Sequence, residues 1–208
     1  MSSTVLHRLS DWAKATPHAP AQRTRVGDQW KMLTAREYLE RVFYLGVYLE
    51  SCGLKPGEIV TILSYNSMEW VHLKLATLLV RGNCAGLYPN SSTKDIHYIL
   101  NHTEAVVLGV QSKDYFNKIT ADGKALPATI RLIIAFDGDT SISPKAVAYE
   151  KAIAEGKKLA GSRQIEEYLA KIDPFAMSFI IYTSGTTGNP KGAVLSHDNF
   201  MFTADQIA

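Results

Sequence analysis

The succession of apolar segments predicts an α/β fold, with an open, mostly parallel sheet and helices on both of its faces. Short runs rich in β-branched residues alternate with longer segments in which apolar residues recur at helical spacing, and the connections between them are short. The composition agrees with such a fold, because 208 residues with 46% hydrophobic and 20% charged content suffice for a substantial core.

The first 33 residues predict a helix followed by a hairpin. Apolar side chains recur at helical spacing over residues 2–12, and Pro17 ends this helix. Two extended segments, at 21–25 and 30–33, flank Gly27 and Asp28, which are residue types suited to a tight connection. We assign residues 1–33 to this N-terminal helix and hairpin.

Residues 34–176 predict an α/β subdomain. Its first helix opens at Thr34, because Glu37 stands at capping-box spacing, and Ser67 is placed to cap the next helix. Strands are expected at 59–63, 84–88, 105–110 and 132–136. Helices are expected at 34–53, 67–82, after 91–93, and at 115–119, 149–159 and 165–172, with a polar loop at 138–144.

Charge and cysteine content limit the partners and the compartment. The formal net charge is +2 and the 22 Lys and Arg residues are scattered, so no electrostatic footprint for nucleic acid is present. Cys52 and Cys84 fall in separate predicted elements without metal-ligand spacing. We interpret both as packing residues of a protein from a reducing compartment.

The N-terminal residues and the lengths of the apolar runs bear on where the protein is located. No basic N-terminal stretch precedes an apolar segment, and every apolar run is far shorter than the roughly 20 residues of a membrane-spanning helix. These observations predict a cytoplasmic protein without a transmembrane segment. Peripheral contact with a membrane is compatible with the sequence.

The residues that bear chemistry are concentrated in one stretch, 177–208. Within it, residues 182–192 contain three glycines, four Ser or Thr side chains, one proline and one lysine, directly after an apolar run at 179–181. Glycines let the backbone approach an anion closely, hydroxyls can donate to phosphate or bind a metal ion, and a lysine adds mobile positive charge. The stretch therefore predicts a loop that holds a polyphosphate, in which Gly185, Gly188 and Gly192 are free to take positive φ.

The common G-x-x-x-x-G-K-[ST] phosphate loop does not describe this stretch. Counted from Gly185, the position that requires glycine holds Pro190, and Lys191 is followed by Gly192 in place of Ser or Thr. A short apolar run at 193–195 follows, which is typical of a strand. We expect a connection between two strands, stiffened by Asn189 and Pro190.

At these residues the sequence resembles a known family. Y-T-S-G-T-T-G-N-P-K-G, at 182–192, resembles the signature phosphate loop of the adenylate-forming (AMP-binding) superfamily, which includes acyl-CoA synthetases, luciferases and peptide synthetase adenylation domains. Upstream, L-S-Y-N-S-M-E-W, A-G-L-Y-P-N-S-S and Y-I-L-N-H-T-E-A resemble the N-terminal part of long-chain fatty-acid CoA ligases. The resemblance extends from about Trp12 to the last residue, and the alternative is a Gly- and Thr-rich surface turn.

The resemblance implies a two-step reaction and roles for the loop. A fatty acid would react with ATP to give acyl-AMP and pyrophosphate, and the acyl group would pass to coenzyme A. Lys191 would be catalytic by stabilising charge on the pyrophosphate, and Thr186 would coordinate Mg²⁺. The phosphates would be bound by Thr183, Ser184, Gly185, Thr186, Thr187 and Gly188.

The resemblance also implies that this chain is incomplete. A final helix with a cap at Asp198 or Asn199 reaches Ala208 without a stop signal, and the motifs for adenine, ribose, the acyl chain and the catalytic C-terminal domain have no match. We therefore expect a truncated N-terminal subdomain of the acyl-CoA synthetase-like fold that is inactive by itself. Exposed apolar surface at the truncated edge would favour self-association.

Two other functions remain as alternatives. One is an adenylating enzyme for another carboxylate, such as an amino or aryl acid, which residues downstream of the loop would distinguish. The other is a short, non-catalytic protein that uses the α/β subdomain for association.

Several residues outside the loop have less specific patterns. His197 is interpreted as a helix-flanking residue satisfied by the Asp198–Asn199 cap region, and His72 as a hydrogen-bonded packing residue. Trp70 follows a strand end, where open α/β sheets bind ligands, but its apolar helix predicts a core position. Tyr88 and Asn90 follow another strand end and are left out of the predicted site for the same reason.

Overall fold

A computed structural model describes residues 3–183 and 188–207. The described helices are α1 (Val5–Ala15), α2 (Ala35–Ser51), α3 (Met68–Leu79), α4 (Thr93–His102), α5 (Lys113–Ile119), α6 (Tyr149–Ala160), α7 (Ile165–Leu169) and α8 (His197–Ile207). The described strands are β1 (Pro20–Val26), β2 (Gln29–Thr34), β3 (Ile59–Leu63), β4 (Asn83–Leu87), β5 (Val107–Val110), β6 (Leu132–Ala135), β7 (Ala146–Ala148), β8 (Met177–Thr183) and β9 (Lys191–Ser196).

The predicted α/β fold is confirmed. Seven strands form one sheet in the order β7-β6-β5-β3-β4-β8-β9, and each neighbouring pair is parallel except β8 and β9, which are antiparallel. Strands β1 and β2 form the separate antiparallel hairpin that was predicted. The chain after β8 therefore turns back on itself, as expected from the short apolar run at 193–195.

Helices cover both faces of the sheet and form two apolar clusters. One cluster includes residues of α2, α3 and α6, and the other includes residues of α4 and α5. Cys84 and Ala85 are consecutive in β4 yet belong to different clusters, because successive side chains of a strand point to opposite faces. Cys84 is buried as predicted, whereas Cys52 is exposed, so the packing interpretation of Cys52 is wrong.

Local capping fixes where the central helices begin. Thr34 and Glu37 form the predicted capping box, and the Ser67 hydroxyl accepts a hydrogen bond from the Trp70 backbone N–H at 3.1 Å. The predicted cap of the last helix is wrong. Ser196 precedes α8, and its backbone N–H and hydroxyl exchange hydrogen bonds with Asn199, which places the start of the helix one turn earlier than a cap at Asn199 would.

One strand was missed by the sequence analysis. β7 comprises three half-buried residues at the edge of the sheet, directly before α6. Such a segment is too short to show a period of two, and a polar loop precedes it. None of the described helices is long and apolar enough to cross a membrane.

His72 of α3 connects the hairpin to α6 through a largely buried network. Its Nε2 lies 2.6 Å from Gln22 Oε1, and its Nδ1 contacts the hydroxyl of Tyr149. An amide oxygen can only accept a hydrogen bond, so the Nε2–H of His72 donates to Gln22 and its Nδ1 accepts from the Tyr149 hydroxyl. With a proton on Nε2 alone, the imidazole is neutral. Burial, assisted by the charge of Arg41, lowers the pKa of His72 to about 3. The predicted packing role of His72 is confirmed.

This network makes stability depend on pH. Below its ordinary pKa of 6.5, His72 takes up a proton in the unfolded chain but not in the folded one, so the free energy of unfolding should fall as the pH falls from 6.5 toward 3. The slope from this single group should approach about 1.4 kcal/mol per pH unit. Urea denaturation at several pH values between 7 and 4 would measure it.

A His72→Gln variant should lose this contribution to the slope, whatever its stability at pH 7. His18→Gln is the matched control, because His18 is exposed. An unchanged pH slope in the His72 variant would contradict the assignment of a neutral buried imidazole.

Candidate functional site: the carboxyl edge of the central strands

The three central strands β3, β4 and β8 are neighbours and run parallel, so their carboxyl ends meet at one edge of the sheet. Polar residues follow each of them. Ser64–Asn66 follow β3, Tyr88–Asn90 follow β4, and the predicted phosphate loop follows β8. Ligands of open α/β sheets bind outside the carboxyl ends of the strands, so this edge is the candidate site.

A cavity of about 670 Å³ opens at this edge, and we call it the acid cavity. Its walls are mostly apolar, with Trp70 edge-on to Phe179 at a centroid distance of 6.0 Å. Polar groups from the three strand ends line the rest. The lining residues are Ser64, Tyr65, Asn66, Trp70, Gly86, Leu87, Tyr88, Pro89, Asn90, Phe179, Ile180, Ile181 and Tyr182.

A second cavity of about 680 Å³ lies beside the two described ends of the loop, and we call it the loop cavity. Thr183 and Pro190 border it, together with Ser91, Ser92 and Asp95 from the start of α4. The two cavities share Tyr88, Asn90 and Tyr182. An acid and a polyphosphate could therefore be held side by side across these three residues.

The predicted site residues fall into two groups. Thr183 and Lys191 are exposed and lie directly opposite each other on β8 and β9, so the structure brings them together. Gly188 is exposed, and a Cβ built on it meets no described atom within 4 Å. The other predicted phosphate ligands lie outside the described residues, and these are Ser184, Gly185, Thr186 and Thr187.

Tyr182 fixes the base of the loop. Its buried hydroxyl lies 2.7 Å from Nδ1 of His102, and its ring covers Gly192, the opposite residue on β9. A Cβ on Gly192 would lie 2.9 Å from Ile180 Cγ2 and 3.2 Å from Tyr182 Cζ. Burial, and to a lesser extent Tyr98, raises the pKa of Tyr182, which keeps the phenol protonated.

Gly192 does not use the positive φ that is open to a glycine, because it lies within β9. It is required for space instead, because Ile180 Cγ2 and the ring of Tyr182 occupy the volume that a side chain would need.

Tyr88 and Asn90, which the sequence analysis set aside, line both cavities. Trp70 is only half-buried and lines the acid cavity, so its core interpretation is wrong in part. The sequence does show that all three residues follow the end of an apolar strand. It does not show that those strands are neighbours in the sheet.

His197 also departs from its interpretation. Its side chain is 4% exposed, and its Nδ1 finds no hydrogen-bond partner within the described part of the chain. The cap region was expected to supply a hydrogen-bond partner to the His197 side chain. Instead, Ser196 and Asn199 form the cap hydrogen bonds with each other. Burial is the main cause that lowers the pKa of His197 to about 4, so the imidazole is neutral at pH 7.

The described residues contain no cluster of three or more His, Cys, Asp or Glu side chains that could hold a metal ion. Asp95, the carboxylate that borders the loop cavity, accepts a hydrogen bond from the Ser92 hydroxyl at 2.7 Å.

Comparisons with known proteins agree with this geometry. A family model described as AMP-binding enzyme matches residues 9–208. The chain is 32% identical over 187 residues to the long-chain-fatty-acid–CoA ligase heimdall of Drosophila melanogaster, covering 87% of this chain and 27% of that protein. It is 30% identical over 184 residues to the long-chain-fatty-acid–CoA ligase ACSBG2 of Xenopus laevis, covering 88% of this chain and 25% of that protein.

A solved structure has the same fold. The crystal structure of the anthranilate CoA ligase AuaEII in complex with anthranoyl-AMP matches with a TM-score of 0.81 and 21% identity, over 98% of this chain and 36% of that one. The chain thus spans 25% and 27% of the length of the two curated relatives. Since the family match runs from residue 9 to the last residue, this chain belongs to the AMP-binding enzyme family.

Proposed function

We propose that this chain is the N-terminal part of an ATP-dependent acid–thiol ligase that activates long-chain fatty acids. The fatty acid and ATP form acyl-AMP and pyrophosphate, and the acyl group is then transferred to the thiol of coenzyme A. The observation that carries the proposal is the position of the predicted phosphate loop. Its described ends border the loop cavity, and Tyr182 at its base borders both the loop cavity and the acid cavity.

The first step makes defined demands on the loop. A carboxylate oxygen attacks the α-phosphorus of ATP, and the bond to the leaving pyrophosphate breaks. Catalysis then consists of positioning and of stabilising negative charge. We assign phosphate binding to the segment from Thr183 to Gly188, charge stabilisation to Lys191, and a Mg²⁺ contact to Thr186. Lys191 is suited to this role because it is exposed beside Thr183 and forms no ion pair with a described residue.

The acid cavity supports an apolar acid as the substrate. Its aromatic and aliphatic walls suit a hydrocarbon chain, and the polar residues Tyr88 and Asn90 lie where it meets the loop cavity. Both relatives described above are long-chain-fatty-acid–CoA ligases, which favours a long-chain fatty acid. An aryl acid is the second candidate, because Trp70 and Phe179 could stack on an aromatic ring and because the similar AuaEII structure holds anthranoyl-AMP.

The full-length protein should catalyse exchange of pyrophosphate into ATP that depends on a fatty acid, because adenylation is reversible. We expect hexadecanoate to support exchange at least about tenfold better than anthranilate, since transfer of each buried methylene contributes about 0.8 kcal/mol. Exchange with anthranilate alone would support the aryl-acid alternative, and exchange with neither acid would contradict the adenylation proposal. Residues 1–208 alone should be inactive.

Variants of the loop separate its role from general stability. Lys191→Met and Thr186→Val should each lower the rate of exchange roughly tenfold to a hundredfold, as expected for loss of one group that stabilises transition-state charge. Lys94→Met, on the exposed face of α4, is the control and should retain the rate of the unmodified enzyme. Full activity in both loop variants would refute the assigned roles.

The Tyr182 anchor yields a separate prediction. Tyr182→Phe keeps the ring over Gly192 but removes the hydrogen bond to His102, which typically contributes about 1 kcal/mol. If this bond positions the loop, KM for ATP should rise about fivefold while kcat with saturating ATP changes little. Steady-state kinetics of the full-length enzyme, at varied ATP and at varied fatty acid, would measure both constants.

Tyr98→Phe is the matched control for this variant. Tyr98 stacks on the same His102 ring, with centroids 5.4 Å apart, and its hydroxyl forms no hydrogen bond with a described residue. The two variants should therefore differ. Equal KM values for ATP in Tyr182→Phe and Tyr98→Phe would show that the bond to His102 does not position the loop.

A further inference from the structure

Gly86 contributes bare backbone to the wall of the acid cavity. The other four residues of β4 are buried, whereas Gly86 is partly exposed and lines the cavity. It lies opposite Ile62 of β3 on one side and Ile181 of β8 on the other, so the sheet fixes its backbone. The position of its missing side chain is beside the rings of Trp70 and Phe179.

Neither the backbone nor the core requires a glycine at this position. Gly86 lies within a strand, and its φ is outside the left-handed region. A Cβ built on it would lie 3.4 Å from Phe179 Cζ and 3.6 Å from Trp70 Cζ2, which are ordinary van der Waals distances. Because a glycine inside a strand weakens that strand, an alanine would make the fold more stable.

Gly109 of β5 illustrates a glycine that packing does require. Gly109 and Gly86 lie on opposite sides of the same residue, Ile62 of β3. A Cβ on Gly109 would overlap Leu73 Cδ2 and would lie 3.1 Å from Phe136 Cζ, so side chains of the core already fill that space. The corresponding space at Gly86 belongs to the acid cavity instead.

Gly86 lies away from the end of the acid cavity where the reaction would occur. Tyr88 and Asn90 border the loop cavity as well, whereas Gly86 does not. If ATP is held in the loop cavity, the reacting carboxylate lies near Tyr88 and Asn90. Gly86 precedes Tyr88 by two residues, which places their Cα atoms at most about 7 Å apart. The hydrocarbon chain of a bound acid would therefore reach Gly86 after its first few carbons.

We propose that Gly86 determines which chain lengths the acid cavity accepts, because the hydrocarbon chain of the substrate passes over its bare backbone beside Trp70 and Phe179. This inference rests on the proposed function, and it gives Gly86 a role in substrate selection and none in the reaction itself. A side chain at position 86 would project into the path of the hydrocarbon chain. Long acids would lose space and contacts with the two rings, whereas acids that end near Gly86 would keep theirs.

The test compares hexadecanoate with hexanoate as substrates of the full-length protein. Gly86→Val should lower the ratio of their kcat/KM values at least about tenfold, since one methyl group in an apolar pocket changes discrimination by about tenfold or more. Gly86→Ala should lower the ratio about threefold. KM for ATP should stay the same in both variants, because Gly86 does not border the loop cavity.

Ala85→Gly is the matched control. Ala85 is the preceding residue of β4, but its side chain points to the opposite face of the sheet and does not line the acid cavity. The variant should keep the ratio of the unmodified enzyme even though removal of a buried methyl group lowers its stability.

Calorimetric titration of hexadecanoate into the same proteins measures binding separately from catalysis. Weaker binding to Gly86→Val would support the inference even if no acid supported exchange, which would refute adenylation alone. Thermal denaturation identifies a variant that fails to fold, and Gly86→Ala then carries the test. Unchanged affinity and an unchanged ratio in the folded variants would overturn the inference and leave the proposed function intact. Absence of both binding and exchange with hexadecanoate would overturn both.

Discussion

The antiparallel pairing of β8 with β9 is the constraint on which the candidate site depends. Because β8 runs parallel to β4, its carboxyl end must lie at the same edge as the ends of β3 and β4. Because β9 then runs back along β8, Thr183 and Lys191 lie opposite each other at that edge. Close pairing requires a glycine at 192, where Ile180 Cγ2 and the Tyr182 ring fill the space of a side chain. The sheet thus places both described ends of the predicted phosphate loop at the candidate site.

Local signals predicted most of the individual elements, whereas their arrangement needed information that one sequence does not contain. The capping pairs Thr34–Glu37 and Ser67–Trp70 act within four residues, so the sequence displays them directly. The order β5-β3-β4-β8 contains two neighbouring pairs, β5 with β3 and β4 with β8, that are not consecutive in the chain, and these pairs follow from packing over long separations. This is why the fold class could be predicted while the shared position of Tyr88 and Asn90 could not.

The same division applies to the functional residues. The composition of 182–192 predicted a phosphate loop because hydroxyls, glycines and a lysine were contiguous. Tyr88 and Tyr182 are 94 positions apart, so nothing in their local patterns relates them. Only the pairing of β4 with β8 brings both to the border that the two cavities share. Contiguous sites can be predicted from a sequence, but sites assembled from distant elements require the fold.

Trp70 connects the acid cavity to the start of the helix beside it. Its indole borders the acid cavity and packs edge-on against Phe179 of β8, with ring centroids 6.0 Å apart. The position of this wall depends on the cap of α3, because the Ser67 hydroxyl accepts the backbone N–H of Trp70 itself. A local cap just after β3 therefore sets part of the wall of a cavity whose other walls come from β4 and β8.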